Sequence, residues 1–543
     1  MPATHTYPGV YIEEVPSGVR TITGVSTSNT AFIDYFPRGS IDGAVRITSW
    51  ADFEREFGGL DNRSEASYAI QQFYLNGGQV AFVVRVAAGA TAATLTLTLS
   101  TSTPIGTITL EAANPGIWGQ NVQVVALKVL KPDGTVDTSQ FNLAVREVRT
   151  SDGAVLSTEI FRGLDLTSSS PNYAWTVVNA GSALVKVTNT GLGGFPDLAD
   201  PNATGDGPSS TSSTGFVALA NGSDGTAAQL DGTMKLDATD FVPTTAGVKS
   251  PLEALDRIAP EIFNILCIPA AANLATDITT TGLAPMQTVV SAAETYCETK
   301  RAFLIVDIPP KLVTNETQMQ TFMAALGKSN NAAVYFPRIQ IPDLLQNSRP
   351  RDVGASGTMA GIYARTDSTR GVWKTPAGTD AVLRNASLTL KLTDLENGGL
   401  NPIGVNVLRN FPVFGNVAWG GRTLNGADQL ASEWKYIAVK RTALYIEESL
   451  FEALQWVVFE PNDEPLWAQI RMNVGAFMHD LFRQGAFQGN APNKAYFVKC
   501  DSETTTQNDI DKGVVNIWVG VAPLKPAEFV VIKLQQIAGQ IET

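Results

Sequence analysis

Cysteine and histidine are scarce in this chain. Three cysteines, Cys267, Cys297 and Cys500, stand far apart among 543 residues, with no CxxC pair. An odd, scattered set supports neither a disulfide framework nor a zinc cluster, so buried, inert thiols are expected. His5 and His479 are the two histidines. They are too few and too distant for an HExxH zinc site or for most Ser-His-Asp arrangements. Apolar runs are short as well: none approaches the roughly 20 residues of a membrane span, and no direct membrane insertion is expected. The opening MPATHTYPGVYIEEV lacks the basic and apolar regions of a signal peptide, which makes cytoplasmic synthesis and assembly the expectation. Positive charge is in deficit, with 39 Lys and Arg against 52 Asp and Glu and a net charge of −13. Binding to nucleic acid needs a local cationic surplus, so that partner is disfavoured and none is expected.

Enzyme motifs fail at named positions. Gly327-Lys328-Ser329 echoes a phosphate loop, but the glycine required five residues earlier is Phe322. Residues 354–357, GASG, lack the spacing of a nucleophile elbow. No EF-hand loop occurs. The sequons at Asn62 and Asn202 are background in a Thr-rich chain without an export signal. Carboxylate pairs such as Glu447 with Glu448, or Asp463 with Glu464, are explained by helix capping or a solvated face. No catalytic residue, metal ligand or cofactor is expected.

What is present is several domains' worth of alternating pattern, since single cores stop growing near about 250–300 residues. From residue 401 onward the chain reads as a compact α/β unit. Residues 433–441, EWKYIAVKR, alternate with period two and predict a strand. Asn462 is placed to cap a following helix with Pro465 in its first turn. Trp467, Ile470, Val474, Phe477, Met478 and Leu481 mark one face of that helix, which Gly485 ends. Strands follow at 495–500 and 514–523. Pro523 and Pro526 then separate a last piece that reads as a strand, Glu528 to Ile537, from its neighbours. Nothing adjacent in sequence supplies it with a strand partner, so it is an edge that invites addition to another copy. A second isolated extended piece, Gly9 to Val15, lies between Pro8 and Pro16 at the other end.

Between the ends, the segment to about Val86 carries β-α-β character. Residues 88–225 are Thr-rich, with turn signals at 132–135 and 151–153, and predict a β-sandwich-like insertion. The stretch 201–214 is too polar to join a core and reads as a linker or loop. Beyond it, helical periods alternate with short apolar strands to about residue 345, which predicts a parallel α/β domain.

Several stretches resemble contractile tail sheath proteins, of phage tails and phage-tail-like injection systems. NPIGVN, WGGRTL, EWKYIAVKR, FEPND with the following LW, and GVAPLKPAEFVV carry the likeness over roughly the last third. PGVYIEE, NGGQVAFVVRV, NPGIWGQN, GIYARTD and RGVWKTPAG extend it upstream. The resemblance implies a mixed α/β, multidomain fold. A discontinuous inner domain (21–87 with 390–522) is joined by a β-rich insertion (88–225) and a middle α/β domain (226–389), with extended arms at 1–20 and 523–543. It implies a structural subunit, not an enzyme: hexameric rings of copies stacked into a helical sheath around an inner tube protein, meeting baseplate and terminal cap proteins, and contracting to drive the tube through a target envelope. Within it, Val10, Tyr11 and Ile12, and Phe529, Val530, Val531, Ile532 and Leu534, are the candidates for pairing between subunits. Arg471, His479 and Arg483 mark a candidate tube-facing helix. Two other readings compete: a secreted or surface-array glycan-binding protein, suggested by the Thr-rich insertion, and a hydrolase or transferase centred on 250–345.

Overall fold

A computed structural model describes residues 20–98, 107–133, 135–190, 215–225, 236–245 and 247–533. The chain divides into two compact units, one of residues 28–368 with 376–435, the other of residues 1–27, 369–375 and 436–543.

The larger unit is built on strands that are largely apolar and buried, as both faces of a covered parallel sheet require. β1 (Thr30–Tyr35) and β3 (Ala81–Val86) are buried at every position, with the short β2 (Val45–Ile47) antiparallel beyond β3. Between them run two helices, Trp50–Phe57 and Glu65–Asn76. Ser49 and Ser64 cap their starts, and Gly58 and Gly77 end them at φ 93° and 117°.

An insertion follows. β4 (Thr94–Thr98), β5 (Thr107–Ala112) and β9 (Val185–Thr190) form one antiparallel sheet. β6 (Val122–Leu130), β7 (Val136–Val148), β8 (Val155–Leu164) and β10 (Val217–Ala218) form another. Leu110, Val124, Leu143, Val145 and Val187 belong to one core shared by the two sheets. Trp118 is buried with them beside Gly116, where a Cβ would come 2.7 Å from the Pro37 carbonyl.

The chain then returns to the parallel sheet through β11 (Ile265–Cys267), β12 (Phe303–Val306) and β13 (Ala332–Phe336), with the helices Thr280–Thr299 and Glu316–Ala325 as crossovers. β14 (Ile339–Asp343), β15 (Arg349–Val353) and β16 (Ser387–Leu388) make a small separate sheet. β17 (Asn406–Phe411) and β18 (Gly415–Ala418) complete the large one, in the order β18-β17-β13-β12-β11-β1-β3-β2.

That order changes the expected partition. The resemblance groups residues 21–87 with 390–522 and sets 226–389 apart; one sheet instead takes strands from all three segments. Composition marks each strand, but a parallel pairing joins segments hundreds of residues apart and leaves no local trace of its partner.

The smaller unit has its own core. The helix Ile437–Ala453 begins where a strand was expected, at 433–441. Ile437, Ala438 and Val439 are all buried, so its first turn is apolar all round and shows no helical period in sequence. The helix Glu464–Arg483 matches the expected span, and its predicted apolar face is buried. Its cap is Asp463, one residue later than expected, because Asn462 accepts from the Trp467 indole at 2.9 Å and donates to the Val514 carbonyl at 2.9 Å. β19 (Tyr496–Lys499) and β20 (Trp518–Val521) form a two-stranded antiparallel sheet beside it. All three cysteines are buried.

Candidate intersubunit interface

Both ends of the chain leave from the smaller unit. Residues 20–27 are lashed along its helices: the Arg20 amide donates to Asn473 Oδ1 at 3.2 Å, and its guanidinium lies 4.6 Å over the Trp456 ring. Ile22 enters the core, the Val25 amide donates to Ser449 Oγ at 3.2 Å, and Arg441 donates to the Thr27 carbonyl at 2.9 Å. The expected arm residues Val10, Tyr11 and Ile12 lie outside the described residues.

At the other end, the Ala522 amide donates to the Ala495 carbonyl and the Gln488 amide to the Ala522 carbonyl, at 2.8 and 2.9 Å. Past Pro523 the described chain, to Lys533, has no regular structure. Phe529, Val530, Val531 and Ile532 are 75–81% exposed. Four consecutive apolar side chains therefore stand in water on both sides of the backbone. Burying each is worth roughly 1.5–3 kcal/mol before the cost of ordering the segment. Leu534 lies outside the described residues.

The sheet next to this exit is short of strands. On its inner face Tyr496, Val498, Val519 and Val521 pack on the helix core; on its outer face Phe497 and Trp518 are exposed. Phe497 lies over Gly520, where a Cβ would meet its ring at 2.1 Å. Among the described residues no third strand pairs with β19 or β20, so each offers an outer edge of main-chain donors and acceptors.

The three side chains expected on the tube-facing helix differ in their engagement. Arg471 is held within the chain, donating to the Cys500 carbonyl and to Glu464. His479 is exposed, with Nδ1 3.2 Å from the Tyr496 hydroxyl, and Arg483 is exposed in the last turn. Trp456, Asn473, Ser449 and Tyr445, which seat residues 20–27, carry no sequence signal: each is an ordinary helix-face residue hundreds of positions from its partner.

The large sheet bears on the enzyme reading. Its strand order reverses between β1 and β11, the place where an open α/β sheet opens a ligand crevice at helix N-termini. Here the chain's own carboxylates occupy those termini. Asp34 accepts from the Ala66 amide at 2.7 Å, and Asp307 from the Ser356 amide at 2.9 Å. Glu65 accepts from Asn273, the Gly354 amide and Arg338, and Arg338 also donates to Asp352 at 2.6 Å. Gly354 admits no side chain, since a Cβ would come 2.3 Å from Asp307. Burial pushes Asp34 up to about 7 and Asp307 to about 6, an effect only partly offset by these hydrogen bonds. The cluster ties the sheet's helices together and sets carboxylates at their N-termini. Among the described residues no group of three or more His, Cys, Asp or Glu could hold a metal ion, and no helix is long and apolar enough to cross a membrane.

Comparison with known proteins adds to this geometry. Residues 430–537 match the family model of the phage tail sheath C-terminal domain. The tail sheath protein of Vibrio phage KVP40 is 26% identical over 188 residues, which is 34% of this chain and 27% of that protein. The chain thus spans about a quarter of the length of that curated relative. Among solved structures, the sheath complex of the extracellular contractile injection system PVC, in its contracted state, superposes with a TM-score of 0.54 at 20% identity, covering 98% of both chains. A sheath tail protein from Listeria innocua gives 0.56 at 12% identity, covering 93% of this chain and 96% of its own. Identities this low show a shared fold.

Proposed function

We propose that this chain, whose residues 430–537 match the phage tail sheath C-terminal domain, is a subunit of a contractile sheath: many copies surround an inner tube and shorten to drive it through a target envelope. The observation that carries this reading is the run Phe529–Ile532, exposed and unpaired, leaving the chain beside a two-stranded sheet with open edges. In this reading the run of one copy adds to the sheet of another, with main-chain hydrogen bonds giving strength and alternate side chains giving register. The segment around Val10, Tyr11 and Ile12, rooted through Arg20 in the same unit, supplies a second strand to a different neighbour. Head-to-tail links of this kind propagate instead of closing, which yields a helical filament of stacked rings.

The helix Glu464–Arg483 turns toward the tube, with His479 and Arg483 as its open polar groups and Arg471 reserved for bonds within the chain. Baseplate and cap proteins terminate the assembly at its two ends, and the copies are made and assembled in the cytoplasm. The role is structural, with no substrate turned over. Electron microscopy of the protein from its native source tests the whole reading: striated tubes in a long and a short state are expected. Discrete monomers or closed rings alone would count against it.

A further inference from the structure

The two outer edges of the β19–β20 hairpin are not equally open. The Ala522 amide donates to the Ala495 carbonyl, and Tyr496 lies opposite Val521. Antiparallel pairs alternate between bonded and non-bonded, so Phe497, Lys499, Trp518 and Gly520 spend their main-chain groups inside the hairpin, while Tyr496, Val498, Val519 and Val521 turn theirs outward. On β19 that outward row is taken at both ends: the Tyr496 amide donates to the Pro492 carbonyl, and the Cys500 carbonyl accepts from Arg471. On β20 nothing among the described residues meets the outward groups of Val519 and Val521. β20 is therefore the edge at which the ladder can grow.

The chain's own tail is led off on the other side. Before the exposed run begins, the Ala522 carbonyl accepts from Gln488 and Pro523 bridges to Phe487, on the side of β19. The run itself decides which way its side chains face. They alternate along a strand, and Lys533, exposed here, is costly to bury. Phe529 and Val531 share its face, which leaves Val530 and Ile532 for the core. The hairpin is sorted in the same way, with Phe497, Lys499 and Trp518 on its outer face and Val498, Val519 and Val521 packed on the helix core.

We propose that the run of a second copy adds to the outer edge of β20, with Val530 and Ile532 beside Val519 and Val521 over the helix core, and Phe529 and Val531 flanking Trp518. The assignment rests on the sheath reading, whose exchange of strands it narrows to one edge and one face.

Disulfide trapping in the full-length chain tests it. A disulfide needs Cβ atoms about 3.5–4.5 Å apart, a distance that neighbouring strands reach and strands two apart do not. Trp518→Cys, combined in turn with Phe529→Cys and Val531→Cys, assembled into tubes and oxidised, should give a ladder of linked multimers on non-reducing gels. Phe497→Cys with the same partners should give none, although Phe497 is as exposed as Trp518; the three native cysteines are buried. A ladder from the Phe497→Cys pairs overturns the choice of edge. Loss of tubes with Val531→Cys but not with Val530→Cys overturns the choice of face. Tubes without a ladder from any pair overturn the run as the occupant of β20, and a bond closed within one chain overturns exchange between copies there. All of these leave the sheath reading standing, whereas a wild-type chain that forms no tubes overturns both.

Discussion

Gly24 lies so close to the Tyr445 hydroxyl that a Cβ on it would come within 1.9 Å of the oxygen. The first described residues are thus pressed into the smaller unit where a helix side chain leaves room for backbone alone. Gly24→Ala should unseat residues 20–27 and cost about 1–3 kcal/mol, as overpacking of a close contact does. Limited proteolysis checks this: cleavage between Arg20 and Thr27 should become faster in the variant, with cleavage elsewhere unchanged.

Removing residues 527–543 should leave a soluble, folded monomer that forms no tubes, because the exposed run contributes nothing to either core. Circular dichroism and sedimentation separate the two outcomes. A milder form of the same test is Val531→Pro, which removes one main-chain donor and restricts the strand. It should abolish assembly where Val531→Ala only weakens it, since a ladder needs the backbone more than any one side chain.

The buried carboxylate Asp34 makes stability depend on pH. Its folded pKa is raised to about 7 by burial, from an ordinary value of 3.8. The folded state therefore binds a proton more tightly than the unfolded one. The resulting stabilisation is full below the ordinary value and is lost as pH rises through 7. Between pH about 8 and about 5.5 the wild type should gain about 2 kcal/mol relative to Asp34→Asn, read as a change in the difference of their melting temperatures.

Arg338 is the cation of the buried cluster, bound to both Glu65 and Asp352. Arg338→Met should destabilise the larger unit by about 3–5 kcal/mol, because it strands Glu65 without its charge partner. Thermal melting checks the size. Combining it with Glu65→Gln should recover part of the loss, a coupling that independent sites would not show.

Much of the fold was legible where periodicity and punctuation agree. The helix Glu464–Arg483 carries a one-sided apolar stripe and a glycine stop, and β1 and β3 are mostly apolar runs between turns. The start of the helix Ile437–Ala453 was not, since Ile437, Ala438 and Val439 are buried on every side and β-branched residues there mimic a strand. Nor was the shared sheet: β1 pairs with β11 across more than two hundred residues. For the interface, Pro523 and Pro526 before the run at 528–534 mark it as isolated. The seat of residues 20–27 depends on Asn473, Trp456 and Ser449, whose spacing says nothing of what they hold.

The uncovered run Phe529–Ile532 also bears on timing. If the proposed strand exchange holds, a newly made copy carries both donor run and acceptor sheet at once, so spontaneous polymerisation is a hazard whenever copies accumulate. Orderly growth then requires that joining an existing ring be much faster than starting a new one. The seed that sets the first ring, more than the strength of any single link, governs where and when tubes appear.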